Sequence, residues 1–135
     1  MSIASHFFVA TPEDAARNDG LEGGSDEHRA IFYRVMDTGI KPLYQIIAGE
    51  ECPKFEPAAM NDDFTEITFT FPAEVVSRFA AFDDSRFDSV IDEWRVTDDV
   101  PYDNDGDLRD LLKALVQLAR KATDDGLNMY LWNCL

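Results

Sequence analysis

The chain has 135 residues, 45% of them hydrophobic, with 27 acidic against 12 basic side chains and a formal net charge of −15. That length suits one domain spanning 1–135, able to build a core without disulfide or metal staples. The charge argues against direct binding to nucleic acid or an anionic membrane surface, since each phosphate contact needs a cation, and no stretch approaches the roughly 20 apolar residues that cross a bilayer.

In chain order, residues 3–10 form the first expected strand. Ser5, Phe7 and Val9 share one face, and His6, Phe8 and Ala10 the other. Thr11 then caps a short helix with Pro12 at its first position, ending near Asn18. Residues 20–27, with three glycines and three acids, read as a mobile loop. Residues 29–36 fit a strand carrying Ile31, Tyr33 and Val35 better than a helix, because Thr38-Gly39 marks a turn soon after.

Residues 42–49 read as a short helix that Gly49 ends. From 50 to 63 the chain holds Pro53, Pro57 and several acids without periodicity, which predicts an irregular candidate binding loop. Residues 64–71 alternate, with Ile67, Phe69 and Phe71 inward and Glu66, Thr68 and Thr70 toward water. Pro72 opens a helix bearing Val75, Val76, Phe79 and Phe82. Ser85 caps another with Phe87, Val90, Ile91 and Trp94 on its apolar stripe.

The chain then turns through Pro101 into an amphipathic helix carrying Leu108, Leu111, Leu112, Leu115, Ala119 and Ala122. Asp107 is its expected cap and Gly126 its stop. Residues 127–135 have no charged side chain and are apolar on both faces, as in an interior strand. This order predicts an α+β fold, a small mixed sheet with several covering helices and the C-terminal strand inside it.

Signals for chemistry are sparse. Cys52 and Cys134 sit in unrelated contexts, and the N-terminus lacks the basic start and apolar core of a signal peptide, so a reduced, cytoplasmic protein is expected. No glycine-flanked serine elbow, phosphate-binding loop, paired-cysteine metal motif or cofactor fingerprint is present. Cys52, Cys134, His6 and His28 are the residues from which an enzyme site would be drawn. The run Asp103, Asn104, Asp105, Gly106, Asp107 fails the helix-loop-helix calcium pattern in either register and reads as an acidic turn capping the last helix.

Between residues 81 and 110 there are eleven acids and three bases. With the apolar stripes inward, Asp88, Asp92, Glu93, Asp98 and Asp99 are expected on one watery surface suited to a cationic partner. Phe55 and Phe64 bracket the irregular loop and are the aromatic contact candidates.

The helix 111–122, the glycine turn and the closing run Met129, Tyr130, Leu131, Trp132 resemble the YfbM-like group of small bacterial proteins. So does the opening run from Phe7 and Phe8 into Thr11, Pro12, Glu13, Asp14. The resemblance covers about a quarter of the chain, implies an α+β domain and carries over no catalytic residue. Size and charge also resemble those of immunity proteins that neutralise basic effectors. The expected function is therefore non-enzymatic binding of a basic protein, with a small enzyme or ligand-binding domain whose pocket lies near the 50–63 loop as the alternative. Oligomeric state is left open.

Overall fold

A computed structural model describes residues 4–15, 29–60, 63 and 65–134. The expectations for the 20–27 loop, His28 and Phe64 lie outside these residues. In order, the described elements are β1 (Ala4–Ala10), α1 (Pro12–Ala15), β2 (Arg29–Tyr33), α2 (Asp37–Ala48), β3 (Glu56–Met60) and β4 (Glu66–Thr70). They continue with α3 (Ala73–Ala80), α4 (Phe87–Trp94), α5 (Asp105–Asp125) and β5 (Asn128–Cys134).

The five strands form one sheet in the order β2-β1-β5-β4-β3. β5 lies at its centre, as its two apolar faces require: Met129, Tyr130 and Leu131 are all buried. A mixed sheet is expected from the sequence, yet all four ladders run antiparallel. Helical connections permit either sense. Here the layer of α3, α4 and α5 returns the chain to the end of the sheet where β4 finishes. The Phe71 N–H donates to the Met129 carbonyl at 2.9 Å, so β5 starts beside the end of β4 and runs back along it.

The α+β organisation holds, with the main core on one side of the sheet. Phe7, Val9, Met129 and Leu131 meet Leu108, Leu111, Leu115 and Ala119 of α5, Val75 and Phe79 of α3, and Trp94 of α4. On the other side Phe8, Ala10, Ala15 and Tyr130 form a smaller cluster, with Phe8 stacked on Tyr130 at 5.3 Å between centroids. Thr68 is fully buried and Thr70 half-buried on that same side, so the face expected to be wet is covered. The second cluster covers the back of the sheet toward β4, while Ile31 and Tyr33 of β2 stay exposed on it.

Four local expectations change. The 50–63 stretch contains β3, an edge strand hidden from pattern reading by Pro57 and by a register shift between Pro57 and Ala59. Edge positions tolerate both. α2 starts five residues earlier than expected, so Thr38 and Gly39 are helical rather than a turn. Gly39 is needed for a close approach: an added Cβ would lie 3.2 Å from the Asp99 carbonyl oxygen, and Trp94 Nε1 donates to the Gly39 carbonyl at 3.2 Å.

The caps also move. Asn104, not Asp107, caps α5 by accepting from the Asp107 N–H at 2.8 Å. Asp83, not Ser85, caps the 3₁₀ turn Asp84–Arg86 that leads into α4. In both, the residue just outside the first turn has the extended backbone that lets a side-chain oxygen reach back to an orphan N–H.

Candidate functional site

The acidic surface is built on α4 and the loop that follows it. Val90, Ile91 and Trp94 are buried, which turns Asp88, Asp92 and Glu93 outward, and Asp98 and Asp99 continue on the exposed loop. All five predicted carboxylates are exposed, but their environments differ. Asp88 is paired with Arg109 from α5, and Asp92 lies 3.5 Å from Arg95. Arg95 is shared with Asp105, at 3.1 Å. Among the described residues, Glu93, Asp98 and Asp99 have no basic partner.

Helix polarity separates structural acids from those without an internal role. Asp105 and Asp107 occupy the first turn of α5, where the exposed N–H groups favour negative charge. Asp107 also accepts from Asn104 Nδ2 at 2.7 Å. Asp83 takes bonds from the Ser85 hydroxyl and N–H, which hold its carboxyl below the usual carboxylate range. Asp92 and Glu93 instead stand in the last turn of α4, at the negative end of the helix, with no base inside that turn. Their charge adds to that of the terminal carbonyls.

Arg120 has a different task. It donates to the carbonyls of Ala80 and Phe82 and to Asp84, neutralising the end of α3 and fastening the connection to α4. Arg109 lines a cleft of about 430 Å³ between α4 and α5 with Asp84, Ser85, Phe87, Asp88 and Lys113.

Phe55 does not join this surface. It is 2% exposed, with its ring 4.7 Å from that of Phe71, and serves the core rather than a partner. Its aromatic character marks burial here because the loop dips inward just before β3.

The alternative site near residues 50–63 lacks a reactive group in the places described. Gln45, Gly49, Glu50 and Glu51 line an open concavity of about 510 Å³. The neighbouring Cys52 is half-buried, donates its S–H to the Pro53 carbonyl at 3.3 Å, and has its pKa pushed up to about 11 by burial. A thiol held protonated is a poor nucleophile. Cys134 lies on the back of the sheet opposite Ala4, beside the row holding His6 and Trp132. Neither His6 nor Cys134 lines the clefts named here. Both cysteines are unbridged. Among the described residues no three His, Cys, Asp or Glu side chains converge as a metal site requires, the 103–107 turn included, and no helix is long and apolar enough to cross a membrane.

A contact that no sequence pattern marks joins Tyr102 to the edge of the sheet. Its hydroxyl donates to the Tyr33 carbonyl at 2.7 Å and accepts from the Tyr33 N–H at 3.4 Å. Sixty-nine positions separate the two residues, so nothing local could have announced it.

No family model, curated protein or solved structure matches the chain. Its functional reading therefore rests on the surface chemistry.

Proposed function

We propose that this protein is a non-enzymatic binding protein of the inhibitor or immunity type, whose partner is a basic protein. The observation that carries the reading is the group Asp92, Glu93, Asp98 and Asp99 at the negative end of α4. Among the described residues only Arg95 forms an ion pair with any of these four carboxylates, and it is shared with Asp105. Acids at a helix C-terminus are unfavourable for the fold, so Asp92 and Glu93 sit there at a cost to α4. It does create a local field that attracts and orients a cationic surface. The likeness of both chain ends to the YfbM-like group belongs to the same proposal and adds no site residue.

Capture from a lysate of the source cell, with the purified protein immobilised, tests this reading. A basic protein is expected to be retained at low salt and released at moderate salt, because exposed ion pairs are screened. The variant D92K/E93K/D98K/D99K, checked for unchanged circular dichroism, is expected to retain none of it. Equal retention by that variant, or a blank from the unaltered protein, overturns the proposal.

A further inference from the structure

We propose that the outer edge of β2 at Ile31 is a docking site for an extended segment of a partner that alternates basic and apolar residues and joins the sheet as an added strand. This surface is distinct from the α4 carboxylates, and shares with the reading above only the cationic character of the partner.

Among the described strands β2 is the outermost on its side of the sheet. In an antiparallel ladder, alternate residues direct their N–H and C=O to the same side. Tyr33 directs both groups away from β1, to the Tyr102 hydroxyl. Ile31, two residues earlier, must direct its own pair outward as well. The next ladders agree: Phe71 bonds Met129 across β4 and β5, which by alternation places the His6–Trp132 pair in bonded register and the His6–Ile31 pair out of it. Among the described residues nothing takes the place of a partner at Ile31. Tyr102 already acts as a one-residue substitute for a neighbouring strand at Tyr33. Beyond it, Arg34 adopts a left-handed backbone (φ 61°) that turns the chain away. An unpaired strand edge of this kind is a template for strand addition.

The side chains beside that edge specify the pattern. A guest residue opposite Ile31 would project to the back of the sheet, where Ile31 and Tyr33 are 50% and 55% exposed and offer apolar surface. Its two neighbours would project to the opposite side, toward the first turns of α5. A cleft of about 260 Å³ lies there, lined by Phe32, Tyr102, Asp107 and Asp110 together with Ile31, Tyr33 and Arg34. Asp110 has no basic partner among the described residues. Two carboxylates against one guanidinium favour lysine or arginine at those neighbouring positions. A second copy of this chain fits poorly, because it would bring another −15 charge and its own Asp107 and Asp110 to the same edge.

The test uses two capped pentapeptides of equal composition and charge, Val-Lys-Val-Lys-Val and Lys-Val-Val-Val-Lys, with the full chain. The alternating peptide is expected to bind more tightly and to slow amide hydrogen exchange at Ile31. N-methylation of its central valine is expected to weaken binding about tenfold, the loss of a paired backbone donor and its fit. Binding of the alternating peptide is expected to survive in D92K/E93K/D98K/D99K, which separates this site from the α4 surface. Equal binding of the two peptides with unchanged Ile31 exchange overturns the proposal, as does no binding at all. Loss of binding in the α4 variant without Ile31 protection, or Ile31 protection in a peptide-free dimer, also overturns it.

Discussion

Single residues act here through what they touch at long range. Gly39 lets α2 approach the loop after α4 so closely that Trp94, fully buried, can bond its carbonyl. Gly39→Ala places a methyl 3.2 Å from the Asp99 oxygen, and overpacking of this kind costs about 1–3 kcal/mol. A matching drop in unfolding free energy by urea titration is expected. Wild-type stability would mean that the Asp99 loop yields freely.

The fold holds three groups protonated, and alkaline pH therefore works against it. Burial pushes Cys52 up from 9.0 to about 11, and raises Tyr44 and Tyr102 above 10.0, with the Glu50 hydrogen bond adding to the effect at Tyr44. A raised folded-state pKa contributes stability that is complete below the unfolded value and lost as pH climbs through the folded one. Stability should therefore fall between pH 9 and about 11. Cys52→Ser should flatten the first part of that fall. Superimposable pH profiles for the two proteins would exclude Cys52 as a cause.

At the scale of elements, β5 is the hinge of the fold because it pairs on both sides, with β1 and with β4. Its Asn133 is fully buried and donates through Nδ2 to the Val35 carbonyl at 2.9 Å and to Ser5 Oγ at 3.1 Å, while Ser5 also bonds the Val35 N–H. Residues more than 90 positions apart are thereby tied at one buried point. Removing 132–135 strips three of the seven residues of the central strand and this bridge, and the truncated chain is expected to lose its cooperative thermal transition. A sharp transition near the wild-type temperature would contradict the central role given to β5. α4 makes the opposite case, an element carrying charge against its own interest. Glu93→Gln relieves one carboxylate at its negative end and is expected to stabilise the protein by about 0.3–1 kcal/mol at low ionic strength. A loss of stability instead would show that Glu93 has a structural partner.

For the whole molecule, a net charge of −15 compresses like charges into a small volume. The described ion pairs are largely exposed, and such pairs contribute little each. Self-repulsion should dominate the salt response, so the melting temperature is expected to rise between about 50 mM and about 500 mM sodium chloride, as the screening length shortens. A fall over that range would assign net stabilising weight to the ion pairs instead.

Local pattern carried much of the architecture. Alternation over β4, the apolar stripes of α3, α4 and α5, and the uncharged last strand depend on neighbours two to four positions away, which any reader of the chain can see. β3 escaped because an edge strand with a proline and a bulge has no clean period. Of the predicted surface, the outward direction of Asp88, Asp92 and Glu93 follows from the buried stripe of α4 alone. Tertiary structure decided which acids are neutralised, since the arginine that answers Asp88 comes from α5. It also decided that Phe55 is core, that Gly39 is a point of close approach, and that Tyr102 covers Tyr33. Each of these depends on a contact between residues far apart in the chain, and periodicity over a few residues carries no information about such meetings.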